Sequence, residues 1–143
     1  MAGKSNFLAA GIIGLIFNGI AIAGLAQNNA SPIYTLYVAL HTADPTAGGY
    51  QNSNEISYTG YARVAIPRDG SGWTISGNSV APFDLIAFPQ SGGGVGGTAT
   101  YWSIGVASSG AGTLLYTGPL SPTIVVSTSV TPEITQASTV TEA

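Results

Sequence analysis

Residues 34–45 read YTLYVALHTADP, and their side chains alternate between the two faces of an extended chain. The faces carry Tyr34, Leu36, Val38 and Leu40 on one side, and Thr35, Tyr37, Ala39 and His41 on the other. This period of two among β-branched, aromatic and aliphatic residues predicts a half-buried strand. Asp44 and Pro45 predict its end, because proline lacks the amide donor of a ladder and aspartate favours turns.

The chain after this strand is a succession of short β-type segments separated by turn residues. The predicted strands are 61–67, 73–76, 80–88, 98–107, 114–117, 123–128 and 130–141. The sequence shows no helical pattern after residue 26. We therefore predict an all-β fold, a jelly-roll-like β-sandwich or barrel, at residues 33–143. An apolar N-terminal arm or short helix at residues 1–32 precedes it.

The arm is nearly uniform in apolar and small residues over positions 7–26, which leaves three interpretations open. Lys4 and the small residues near position 23 are typical of a secretory signal peptide. About 20 apolar residues are also enough to cross a bilayer. A short helix is the third interpretation, with Ser5 as its N-cap and Asn18-Gly19 as its stop.

We expect the arm to be retained and to dock on a partner subunit, with packing on its own β-domain as an alternative. A long apolar segment has no stable place in water, so its large side chains are the candidate partner interface. These residues are Phe7, Leu8, Ile12, Ile13, Leu15, Ile16 and Phe17.

The charge content is unusually low. Charged residues make up 6% of the 143 positions, against about a quarter in ordinary soluble domains. Either an assembly covers much of the surface, or the surface is rich in serine and threonine. The net charge of −3 and three scattered basic residues argue against nucleic acid as a partner. The absence of cysteine excludes disulfides and thiolate catalysis.

Candidate chemical groups do not form a recognisable site, so we predict no catalytic, cofactor-binding or metal-binding residues. His41 and Asp44 could orient a general base, but no nucleophile motif accompanies them and we expect turn residues. The remaining acidic residues lack calcium-loop spacing. The glycine-rich stretch 92–97 lacks the lysine of a phosphate loop and predicts a turning surface loop.

The aromatic residues have three possible uses. Trp73 and Trp102 are expected to fill the core, while an interface or stacking on glycan are alternatives for the aromatic set. That set is Tyr50, Tyr58, Tyr61, Trp73, Tyr101, Trp102 and Tyr116.

Several short motifs resemble a family of small tailed-phage structural proteins. They are MAGKSNFL at 1–8, LYVALHTADP at 36–45, EI at 55–56 with GYAR at 60–63, IAFP at 86–89, YWSIG at 101–105 and LLYTG at 114–118. Members are often labelled tail-fibre proteins, and others resemble head decoration (cement) proteins with a jelly-roll-like fold. The resemblance implies a virion structural protein without catalysis or cofactor.

The resemblance leads to two hypotheses of function. In the first, the protein binds and stabilises the outside of a tailed-phage capsid, with the major capsid protein as partner. It would act as a homo-oligomer, a dimer or trimer, without a membrane partner. In the alternative, it is a tail-fibre or receptor-binding module that contacts host glycan through loops 46–60 and 90–97. A secreted or membrane-anchored β-protein is a third, weaker possibility.

Overall fold

A computed structural model describes residues 5–22 and 33–142 of the chain. Over these ranges the structure is mainly β, with one short helix. The elements are α1 Asn6–Asn18, β1 Thr35–His41, β2 Val64–Pro67, β3 Trp73–Ser76, β4 Ser79–Pro82, β5 Ile86–Ala87, β6 Gly97–Gly105, β7 Leu114–Val126, β8 Glu133–Ile134 and β9 Val140–Thr141. The predicted fold class, all-β with a short helix, is confirmed, whereas the jelly-roll connectivity stays a prediction.

The chain forms two compact units that each combine distant segments. The helix unit comprises the described residues of Met1–Thr35, Pro67–Leu85 and Thr135–Ala143, and the sheet unit comprises Leu36–Ile66 and Ile86–Ile134. These units do not test the predicted division into an arm at 1–32 and a β-sandwich domain at 33–143, which stays a prediction.

Helix α1 begins and ends where its local sequence predicts. The Ser5 hydroxyl accepts a hydrogen bond from the Leu8 amide at 3.2 Å, which satisfies one of the unpaired donors of the first turn. Gly19 closes the helix in the left-handed region at φ 65°, a conformation that glycine adopts without steric cost. The short-helix interpretation of the arm is therefore confirmed, with both caps as predicted.

The helix unit has its own apolar core between α1 and a three-stranded antiparallel sheet. The sheet has the order β3-β4-β9, and α1 contacts β3 and β4. Phe17 meets Trp73 edge to face, with ring centroids 4.6 Å apart, a favoured arrangement for aromatic pairs. The buried apolar residues of this unit are Ala9, Ile13, Phe17, Ile22, Trp73 and Val80. In the described part of the chain, no helix is long and apolar enough to span a membrane.

The sheet unit contains a four-stranded sheet of order β2-β1-β6-β7 and a small antiparallel pair, β5-β8. Strands β1 and β6 are antiparallel, in a register that runs from Tyr37 opposite Gly105 to His41 opposite Tyr101. The core of the unit is formed by Leu36, Val38, Ala39, Leu40, Ile56, Tyr58, Ile86, Phe88, Ala99, Trp102, Ile104, Val126 and Ile134. Trp73 and Trp102 are thus both buried, as expected, but in different units.

The structure corrects three strand predictions. Stretch 80–88 forms two strands, β4 and β5, because 83–85 is an exposed bend. Stretch 130–141 likewise forms two short strands, β8 and β9. The stretches 114–117 and 123–128 instead join in the single strand β7, which includes Pro119 and Pro122. An edge strand tolerates proline because its outer side needs no amide donor, and β7 is at the edge of its sheet.

Candidate functional site

Arg68 connects three parts of the helix unit through one side chain. Its guanidinium donates to the Ile16 carbonyl at 2.5 Å, to the Ile33 carbonyl at 2.7 Å and to the Leu15 carbonyl. Its backbone amide donates to the Tyr34 carbonyl at 2.9 Å. The last carbonyls of a helix have no partner within the helix and form the negative end of its dipole. Arg68 therefore acts as a distant C-terminal cap of α1.

Five exposed apolar side chains lie in the segments that are linked to this cap. Tyr34 is 77% exposed, Ile20 57%, Phe83 50%, Leu85 48% and Ile33 47%. Ile33 and Tyr34 supply carbonyls to Arg68, and Ile20 follows Gly19, whose Cβ position lies 3.9 Å from the Arg68 guanidinium. We call these five side chains, together with Arg68, the Arg68 surface.

Hydrogen bonds link the bend that contains Phe83 and Leu85 to the turn beside the same end of the helix. The Asn18 side-chain amide faces two carbonyls, so its nitrogen is assigned to that side, where it donates to the Asp69 carbonyl at 3.1 Å. The Trp73 amide donates to that carbonyl at 3.1 Å, and the Phe83 amide donates to the Gly72 carbonyl at 2.9 Å. The turn before β3 therefore links the bend after β4 to the helix end.

Two carboxylates accompany the Arg68 surface. Asp69 accepts hydrogen bonds from the Ser71 hydroxyl at 2.6 Å and the Ser71 amide at 2.8 Å. Both bonds lower the pKa of Asp69, and the bond from the Ser71 hydroxyl has the larger effect. The carboxylate is therefore ionised at neutral pH. Asp84 is exposed between Phe83 and Leu85. The residues that the structure describes include no cluster of three or more metal-ligating side chains.

The predicted interface residues of α1 divide into two groups. Ile13 and Phe17 are fully buried in the helix unit, so in this conformation they pack on their own chain and cannot contact a partner. Phe7 is 72% exposed, while Leu8, Ile12, Leu15 and Ile16 are half-buried. Residues four apart lie on one helical face, which explains why positions 9, 13 and 17 are buried together. A partner interface at the other five residues stays a prediction.

Sequence reasoning missed the Arg68 surface. Tyr34, Phe83 and Leu85 lie in stretches that were predicted as strands, and Ile20 and Ile33 lie outside them. No local pattern therefore groups the five side chains. One local signal was present, because the run Phe83-Asp84-Leu85 places two large apolar residues around a charge within a bend. Exposed apolar residues grouped in this way mark interaction surfaces more often than scattered ones do.

The sheet unit contains a buried ionic network that is structural. Arg63 pairs with both carboxylate oxygens of Glu55 at 2.7 Å, and Tyr61 donates to the same carboxylate at 2.8 Å. Arg63 also donates to the carbonyls of Ala107 and Gly110 at 2.8 and 2.7 Å. The hydrogen bond with Glu55 raises the pKa of Arg63, and burial raises the pKa of Tyr61. The network holds two loops on the sheet, and its donors and acceptors are already used.

His41 was predicted as a turn residue, but it is the last residue of β1 and is fully buried. Its Nδ1 is 2.9 Å from the Ser53 carbonyl, and its Nε2 is 2.7 Å from the Ser103 hydroxyl. A carbonyl only accepts, so Nδ1 donates and Nε2 accepts from Ser103 in the neutral ring. Burial lowers the pKa of His41. Asp44 accepts instead from the Thr46 hydroxyl and amide, as a turn residue does.

The two loops named for glycan contact are joined in the sheet unit. The Thr59 amide donates to the Gly93 carbonyl and the Gly92 amide to the Thr59 carbonyl, both at 2.9 Å. Gly93 has φ 102°, so this tight turn suits glycine. Tyr58 is buried and donates to the Pro89 carbonyl at 2.8 Å, so it cannot stack on a sugar. Tyr58 therefore cannot serve as an aromatic stacking surface for glycan at the joined loops.

The described residues thus form a β-rich protein with several exposed apolar side chains in its helix unit. The family model described as podophage GP4 fiber I protein gp80 matches residues 3–141, and the chain belongs to this family. A comparison with curated proteins finds no match. Membership makes the chain a structural component of a tailed-phage virion, as the resemblance of its motifs implied, and fibre proteins of this kind are typically not enzymes.

Proposed function

We propose that the protein is a non-enzymatic subunit of a virion fibre, held in the particle by its exposed apolar surface. The observation that carries this proposal is the Arg68 surface, five large side chains about half or more exposed on a chain with 6% charged residues. Burial of apolar area contributes about 25 cal/mol per Å², reduced by the cost of ordering the partners. The description of the family as fibre proteins supports a fibre over other virion positions.

Capsid decoration is the second candidate. Some members of the phage structural family that the motifs resemble are themselves similar to head decoration proteins, and the exposed Phe7 at the start of α1 supplies an apolar contact point. In this role the protein would bind the major capsid protein as a dimer or trimer on the capsid surface. Repetition over the shell would convert modest contacts into strong retention.

Contact with host glycan is a further role of the fibre candidate. The joined loops around Thr59 and Gly93 are its support, together with the half-exposed Tyr50 and the fully exposed tip residue Val95. A stacking platform needs flat aromatic surface, and Tyr50 supplies it.

Copy number distinguishes the two virion positions. We expect tens of copies or fewer per particle for a fibre, measured by quantitative mass spectrometry of purified virions against the major capsid protein. Hundreds of copies would instead support decoration. Gold-labelled antibody in electron micrographs gives the location independently, on the tail or around the head. A chain missing from purified virions would refute both candidates.

A further inference from the structure

We propose that the Arg68 surface binds a different virion protein through an apolar patch flanked by lysine or arginine, and not a second copy of this chain. The proposal rests on the proposed function, because it specifies how the subunit is held in the particle. Its basis is the combination of exposed apolar area with two carboxylates and no available cation among the described residues.

The apolar part of this surface is held in a defined arrangement before binding. Arg68 ties the end of α1 to the segment that begins at Ile33, and Asp69 orders the following turn through Ser71. Surfaces that are already ordered lose little conformational entropy on binding. Tyr34 and Phe83 are then suited to act as aromatic anchors, a residue type that contributes strongly at interface centres.

The charges of the Arg68 surface favour a different virion protein over a second copy of this chain. Asp69 and Asp84 are both exposed, so the surface attracts a basic partner. The chain has three basic residues, Lys4, Arg63 and Arg68. Arg63 is buried against Glu55, and Arg68 donates to three carbonyls. Within residues 5–22 and 33–142, a second copy therefore has no free cation to place opposite the carboxylates.

A symmetric contact of two such surfaces is also unfavourable. A two-fold axis through the Arg68 surface would bring equivalent carboxylates close to one another, and like charges facing each other disfavour association. The same negative charge disfavours a membrane that carries anionic lipids. A basic, apolar protein patch satisfies both the apolar side chains and the carboxylates.

Site-directed cross-linking tests the identity of the occupant. The chain has no cysteine, so Asp84→Cys places one thiol in the surface, and Ser76→Cys places one at the exposed end of β3 as a control. Virions assembled with each full-length variant are treated with a short maleimide–succinimidyl ester cross-linker, which joins the thiol to a nearby lysine. We expect Asp84→Cys, but not Ser76→Cys, to give a cross-link to a lysine of another virion protein, identified by mass spectrometry.

Three results would overturn the proposal: a cross-link from Asp84→Cys to Lys4 of a second copy, equal cross-linking from both thiols, and no cross-link from Asp84→Cys with either this reagent or one that joins a thiol to arginine. The second reagent is needed because an arginine-only partner would escape the first, and a charge reversal completes the test. Asp84→Lys should lower the copy number per virion by about tenfold, because it opposes a basic patch. Glu133→Lys, an exposed reversal with the same change in net charge, should leave it unchanged.

The two proposals fail in different ways. If the wild-type chain is missing from purified virions, the proposed function is wrong. If the wild-type chain is present, but Asp84→Lys is incorporated as well as Glu133→Lys, only the basic partner is refuted. Circular dichroism of the purified variants shows whether each has kept its fold, and the cross-link from Asp84→Cys decides the case if Asp84→Lys does not fold.

Discussion

Arg68 donates a hydrogen bond to the carbonyl of Ile16, 52 positions earlier in the chain, at 2.5 Å. A long-range side chain thus completes the C-terminal end of the helix, beyond the local closure by Gly19. The bond also places the half-buried guanidinium of Arg68 at the C-terminal end of α1, which is the negative end of the helix dipole. The stability of α1 and the shape of the exposed surface therefore depend on one residue.

Replacement of Arg68 by methionine should lower the free energy of unfolding by about 1–3 kcal/mol, because the carbonyls at the helix end lose their donor. Arg68→Lys should recover only part of this loss, since an ammonium group lacks the planar fork that reaches three carbonyls. Urea unfolding followed by circular dichroism measures both variants. A methionine variant as stable as the wild type would show that water replaces the guanidinium without cost.

Phe17 and Phe7 form a matched pair on the same helix. Phe17→Ala should cost about 3–5 kcal/mol, because it leaves a cavity against Trp73 in the core of the helix unit. Phe7→Ala, at a side chain 72% exposed, should change stability by less than about 0.5 kcal/mol. Chemical denaturation of the two variants under one set of conditions gives the difference. Equal effects would contradict the burial pattern of α1.

Loss of one partner from the buried ion pair should be strongly destabilising. Arg63 has a side chain only 1% exposed, so Glu55→Gln leaves its charge without a counter-ion, at a cost of about 3–5 kcal/mol. The double variant Glu55→Gln with Arg63→Met removes both charges and should be more stable than Glu55→Gln alone. Denaturant midpoints of the single and double variants test this order. A double variant less stable than Glu55→Gln would show that the carbonyl contacts of Arg63 outweigh its charge.

Stability should fall as the pH decreases from 7 to 5, because of His41. Its pKa is lowered in the folded protein from the ordinary value of 6.5, so the unfolded chain takes up a proton that the folded chain rejects. The slope of the unfolding free energy is at most about 1.4 kcal/mol per pH unit, the value for a histidine that is charged in the unfolded chain and neutral in the folded one. This contribution is fully present above pH 6.5 and is lost below it.

His41→Asn provides the control for this effect. The chain has one histidine, so the variant should be less stable at pH 7 but nearly insensitive to pH between 7 and 5. Asp44 and Asp69 have a lowered pKa, and their stabilising contribution is lost only near and below 3.8. Urea midpoints measured at several pH values separate the two ranges. A wild-type midpoint that does not move between pH 7 and 5 would refute the assignment to His41.

The sequence predicted those elements whose signals are local. Ser5 and Gly19 act within one helical turn, so their side-chain and backbone preferences were enough to place the ends of α1. The alternation in 34–45 and the compact run at 73–76 likewise predicted β1 and β3. Strand β1 is buried more completely than the predicted half-buried strand, because Ala39 and His41 on its second face are buried as well. The two prolines in β7 gave a misleading local signal, since their cost depends on whether the strand has a neighbour on each side.

By itself, the sequence determined a capped apolar helix, a β-rich body and motifs that indicate a virion protein. Tertiary structure alone decided which apolar side chains are buried and which are exposed. Uniform hydrophobicity in α1 hides its buried face, so the separation of Ile13 and Phe17 from Phe7 required the contact with β3 and β4. The Arg68 surface brings together residues from 20 to 85 through hydrogen bonds to backbone carbonyls, and such bonds leave no periodic pattern in the amino-acid sequence.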